Sequence, residues 1–172
     1  ITIVSGLALG IDAIAHQAAL SAGLACVGVP GSGLSWDVVY PRSNVHLARK
    51  IVESGGALVS EFAPHTVAAP WTFPQRNRIM AGLSHAVLLI EAHAQSGTLI
   101  TARLASDYNR DVLVVPGSIF SDQSTGVHQF LKLGATPITH PDDIIRALNL
   151  EQKEKTLPLL TGDHARVYEL LS

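Results

Sequence analysis

Arg76, Asn77 and Arg78 follow two aromatic residues, Trp71 and Phe73, within PWTFPQRNRIMAGLS at residues 70–84. Pro74 suits the first position of a helix, where its missing N–H costs nothing, so the three polar side chains fall in an opening turn. Cations there oppose the positive end of the helix dipole, a cost that an anion such as phosphate would offset. Two residues apart, the arginines point about 200° apart around a helix, so one can face a ligand while the other holds a carboxylate such as Glu61 or Glu91. Internal ion pairing of both is the plainer alternative. Rings beside cations are also the usual equipment for single-stranded nucleic acid, with bases on the rings and phosphates on the guanidinium groups. Trp71 and Phe73 could equally be core residues, and in an extended segment they would share a face.

Three turns suit the same chemistry. In SGLALGID, Ser5 and Gly6 end a strand and Gly10 precedes a helix, an arrangement that turns backbone N–H groups toward an anion. Ser96, Gly97 and Thr98 open the helical TLITARLA, with Ser96 or Thr98 as its cap. VPGS supplies the third turn, around Gly117. In a parallel sheet all three lie at the carboxyl ends of strands, along the edge where open α/β sheets bind ligands. None has the spacing of a dinucleotide or Walker loop, and glycines serving only close helix–sheet packing would explain them without a ligand. Lys132 joins the candidates, although a lysine ending a helix before Gly134 needs no ligand.

Other chemistry lacks a pattern. PGSGL is not a nucleophile elbow, no Ser, His and Asp order suggests a triad, and no spacing singles out an acid–base pair among Asp12, Asp37, Glu61, Glu91 and Asp107. The eight histidines show no paired ligand spacing, His16, His85 and His128 reading as helix or strand-end residues. No catalytic residue, metal or cofactor is expected. Net charge is −2, so a nucleic-acid site must be a local patch. The lone Cys26, inside LACVGV, reads as a buried thiol, which excludes a disulfide framework and fits a reducing cytoplasm. No apolar run approaches the roughly 18 to 20 residues that span a bilayer, and no basic-then-apolar leader is present.

Short β-rich runs must position these groups: ITIVS, LACVGV, GALVSE, AVLLIEA, DVLVVPG and ATPITH. Helical patterns alternate with them, which predicts an α/β, Rossmann-like, doubly wound and mostly parallel sheet of six or more strands with helices on both faces. With 47% hydrophobic and 5% aromatic residues, small side chains suit helices laid closely on such a sheet. The expected domain covers residues 1–149. EQKEKT opens a linker at 150–160, and residues 161–172 read as the start of a second, helical domain. Both ends look cut from a longer protein.

Taken in order, SGLALGIDAIAH, GSGL with YPRSN, GGALVSEF, FPQRNRIMAGLS, EAHAQSGTLITA, VVPGS and LKLGATPI resemble the successive motifs of the DprA/Smf family, over residues 1 to about 149. The resemblance implies a modified Rossmann fold, cooperative binding of single-stranded DNA, interaction with the RecA recombinase and dimerisation. In naturally transformable bacteria the family protects incoming DNA and loads RecA on it. It also implies a further strand and a helical domain before Ile1, and a winged-helix-like domain after the region matched. Dimerisation would use residues 119–149, where Ile119, Phe120, Phe130, Leu131 and Leu133 could supply an anchor, though core packing explains them as simply. Two departures stand out: Leu9 replaces an arginine common in the family, and the loop between Leu34 and Tyr40 is longer by two residues. The rival reading is an enzyme of the lysine-decarboxylase-like Rossmann group, a nucleotide phosphoribohydrolase, whose PGGxGTxxE signature this chain lacks.

Overall fold

The computed structural model describes residues 1–150, so the linker and helical start expected over 151–172 lie outside the described residues. Chain order is β1 (Thr2–Ser5), α1 (Ile11–Ser21), β2 (Ala25–Gly28), a 3-10 turn (Arg42–Asn44), α2 (Val45–Glu53), β3 (Ala57–Leu58) and α3 (Thr72–Leu83). It continues with β4 (Ala86–Leu89), α4 (Thr98–Asp107), β5 (Asp111–Val114), a 3-10 turn (Asp122–Ser124), α5 (Thr125–Lys132), β6 (Thr136–Pro137) and α6 (Pro141–Ala147). Every expected strand forms and every strand pair is parallel, as crossovers through helices require. The fold is α/β and Rossmann-like.

The expectation of one six-stranded sheet needs correction. Hydrogen bonding gives two three-stranded sheets, β1-β2-β3 and β4-β5-β6, and the ladder does not cross from β1 to β4. Ser5 pairs with Gly28 in the first, and Leu89 with Val114 in the second. Two strands are also shorter than the apolar runs suggest. β6 covers only Thr136–Pro137, with Ile138 N donating to Val114 O at 2.7 Å just beyond it.

Each sheet carries its own core. Leu7, Cys26, Val39, Leu47 and Ile51 fill the first, while Leu89, Leu99, Val114, Val127 and Phe130 fill the second. Burying each large member contributes roughly 1.5 to 3 kcal/mol. Phe130, one of the residues considered for a dimer contact, is therefore core. Ile119, Phe120 and Leu133 are instead 76%, 92% and 79% exposed, while Leu131 packs partly buried against the second core.

α3 ties the halves together, packing on both β1 and α4. It starts at Thr72 rather than Pro74 because the buried Thr72 hydroxyl is fixed by tertiary contacts: it donates to the Gly31 carbonyl at 2.5 Å and accepts from Ala69 N at 3.1 Å. Pro74 still falls within the first turn, where the missing N–H is harmless. The shift turns Phe73 into a helical residue, so Trp71 and Phe73 do not share a face. Trp71 stands edge-on to Phe62, with ring centroids 5.8 Å apart, and Phe73 packs beside Tyr40 at the same separation. No helix among the described residues is long and apolar enough to cross a membrane.

Candidate ligand-binding edge

Arg76 is 5% exposed and binds backbone carbonyls rather than a carboxylate. Its Nη1 donates to Gly6 O at 2.8 Å and to Val29 O, while Nε donates to Asn77 Oδ1 at 3.2 Å. One guanidinium thus joins the turns after β1 and β2. Among the described residues Nη2 donates to no acceptor, and Arg76 lines a recess with Gly6, Leu9, Tyr40 and Phe73. Burial pulls the guanidinium below its usual pKa range, against the attraction of Asp12. A buried cation with an unspent donor is chemically suited to an anionic oxygen.

Asn77 reaches the other half. Its Nδ2 donates to Gly97 O at 3.2 Å, drawing the start of α4 against the second turn of α3, where the earlier helix start at Thr72 places residues 76–78 instead of the expected opening turn. Ala92 N donates to Gln123 O at 2.8 Å and Gly126 N to Ala92 O at 2.9 Å, which joins the loops after β4 and β5. Ser5 and Gly6 at the end of β1, Ser96, Gly97 and Thr98 at the start of α4, and Gly117 in the loop after β5 are therefore linked along the carboxyl ends of the strands. Lys132 does not: it ends α5, seven residues and about 10 Å along the axis from the end of that helix packed on Ala92.

Arg78 points away from Arg76 and pairs with Glu61, one of the two carboxylates anticipated for it. The pair is partly solvated, with the arginine side chain half exposed. Of the two α3 arginines, Arg76 is the one at the recess.

Two of the three anticipated anion cradles are closed by the chain itself. Asp12 accepts from Gly6 N at 2.9 Å and from Ala8 N at 3.2 Å, occupying the turn after β1 with its own carboxylate. Ser96 Oγ accepts from Thr98 N at 3.2 Å and caps the start of α4. At the third, the carbonyl of Gly117 takes a hydrogen bond from His128 Nε2 at 3.1 Å, and a Cβ on Gly117 would lie 2.1 Å from Ser124 Oγ. Glycine here serves close packing. Open positive chemistry along this edge comes from Arg76.

Several contributing residues escaped the sequence reading. Leu7, fully buried, adopts φ 60°, a left-handed conformation costly for a leucine, and Asn44 Nδ2 steadies the turn by donating to Leu7 O at 2.8 Å and Ala8 O at 3.1 Å. Asp12 could have been found as an acid in the first turn of α1, and Asn44 within YPRSN. Tyr40 carried no separate signal. Gly6 permits the approach of Arg76, because a Cβ there would lie 2.3 Å from Nη1.

Fold and edge together define a Rossmann-like α/β domain that holds a buried guanidinium beside aromatic rings at one recess. The family model for DNA recombination-mediator protein A matches residues 1–149. The chain belongs to that family. It is 45% identical over 148 residues to Protein Smf of Escherichia coli K12, covering 86% of this chain and 39% of the relative. It is 41% identical over 145 residues to DNA processing protein DprA of Streptococcus pneumoniae R6, covering 84% and 50%. The chain therefore spans half or less of these relatives. Among solved structures, DprA of S. pneumoniae superposes with a TM-score of 0.77 at 39% identity, over 89% of this chain and 52% of that one. DprA of Helicobacter pylori, solved in a study of its single-stranded DNA binding mode, superposes with a TM-score of 0.75 at 30% identity, over 86% and 66%.

Proposed function

We propose that this chain is the single-stranded-DNA-binding domain of a recombination mediator and acts by binding rather than by catalysis. The observation that carries the reading is the unspent Nη2 of Arg76, a residue that lines a recess with Tyr40 and Phe73. A phosphate oxygen on that donor would satisfy a desolvated cation, and the adjoining rings suit unstacked bases. Duplex DNA offers phosphates but keeps its bases stacked, so the site favours single strands. The H. pylori relative, studied for its single-stranded DNA binding mode, supports the same ligand.

Within this reading the partner protein is RecA, loaded on the bound strand in the cytoplasm during natural transformation. The domain self-associates through the exposed Ile119, Phe120 and Leu133. Exposed apolar side chains of this size are the kind of anchor that dimer contacts use.

A salt titration with single-stranded and duplex oligonucleotides tests the DNA reading. Tighter binding of the single strand, weakening as salt rises, is expected. Equal affinity for both would refute it. Phe120→Ser should shift the chain toward monomer in sedimentation experiments, and a wild-type chain that stays monomeric at high concentration would refute the dimer.

A further inference from the structure

We propose that Tyr40, backed by Phe73 and bordered by Leu9, is the base-stacking platform of this site. The proposal rests on the single-stranded-DNA reading and changes which ring does the work. Phe73 is the obvious candidate in the sequence, since it neighbours the arginines, but its ring is half-buried and committed to packing. A Cβ placed on Gly31 would lie 2.5 Å from Phe73 Cδ1, so one side of the ring lies against the bare glycine backbone. Another side meets Tyr40, at 5.8 Å between centroids and tilted by 58°. Little of Phe73 remains for a ligand.

Tyr40 is 48% exposed, and Leu9 is 70% exposed on the same recess. An exposed aromatic and an exposed leucine beside a buried guanidinium form an apolar wall next to an anion contact. That combination matches one nucleotide, its phosphate on Arg76 and its base on the phenol ring. The recess, about 210 Å³, is smaller than the roughly 300 to 1,000 Å³ typical of sites that enclose a drug-sized ligand. One flat ring fits this scale better than a dinucleotide. Tyr40 also sits on the segment leading into the Arg42–Asn44 turn, and Asn44 holds the backbone of Leu7 and Ala8. Both walls are thus tied to one another through the chain.

Two oligomers of equal phosphate count separate stacking from charge: oligothymidylate and its fully abasic counterpart, each titrated by fluorescence anisotropy across a salt series. Tyr40→Leu should weaken oligothymidylate binding roughly 5- to 150-fold, the range expected for one lost stack. Its affinity for the abasic oligomer should change less than twofold, and the log–log salt slope should not move. Tyr40→Phe should keep wild-type affinity for both. Because the side chain is half exposed, urea midpoints should match the wild type. Equal weakening on both oligomers, or none on either, would overturn the platform. Wild-type chain that binds both oligomers equally would refute the platform while leaving DNA binding intact, and wild-type chain that binds neither would refute both.

Discussion

Arg76→Gln should damage stability and DNA binding together, whereas Arg78→Gln should do little to either. The wild-type guanidinium makes three hydrogen bonds to two carbonyls and the Asn77 amide, with only 5% of the residue exposed. Hydrogen bonds from a charged donor contribute about 1.5 to 3 kcal/mol each, so simple addition sets an upper limit of about 9 kcal/mol. Removing a buried charge returns part of that, because its desolvation cost of several kcal/mol also disappears. A net loss of about 3 kcal/mol is expected in urea unfolding. If Nη2 meets one phosphate, the same substitution should lower the log–log salt slope for single-stranded DNA by roughly 0.7. Arg78 is half exposed and paired with Glu61, an arrangement worth about 0.2 to 1 kcal/mol, and its loss should leave the slope unchanged. Arg76→Lys keeps the charge but not the fork, so it should retain more of the slope than of the stability. A folded Arg76→Gln chain with wild-type midpoint and wild-type slope would refute both the anchoring and the phosphate contact.

Leu9→Arg, at a solvated position on the rim of the recess, should tighten single-stranded DNA binding and steepen the salt slope by roughly 0.7; a flat response would place Leu9 away from the strand. His16 is fully buried, and among the described residues neither ring nitrogen has a hydrogen-bond partner within normal geometry; burial lowers its pKa below the usual 6.5, outweighing the opposite pull of the Ser5 backbone and Asp12. The unfolded chain then binds a proton below about pH 6.5 that the folded chain resists, so stability should fall with acidity below that point and level off above it. His16→Leu should flatten this dependence in urea melts between pH 5 and 8, and an unchanged profile would assign it to other groups.

The fold was legible where periodicity and punctuation agreed: six apolar runs separated by helical patterns became six parallel strands. Less legible was anything decided by a contact distant in sequence. Pro74 marks a helix start by its own chemistry, yet the Thr72 hydroxyl, caught by Gly31, begins the helix two residues earlier. The opposed directions of Arg76 and Arg78 followed from helical geometry, which left Glu61 and Glu91 open as the partner carboxylate. That Arg76 would spend its donors on carbonyls did not, because any residue supplies a carbonyl and none is marked in the sequence. The glycine-rich turns looked like open cradles for the same reason. Asp12, seven residues beyond Ser5, closes the first of them, and only the turn at Leu7 brings its carboxylate to those amides.

The break in the ladder between β1 and β4 has a mechanical meaning. With no strand-to-strand hydrogen bonds at that seam, a rocking motion of one sheet against the other would be resisted chiefly by side chains of α3, and Arg76 and Asn77 stand side by side at its pivot. A strand of DNA gripped there would act as a splint, adding a restraint between two leaves that no backbone ladder joins. Amide exchange along the unpaired sides of β1 and β4 would register this, slowing when the ligand is bound.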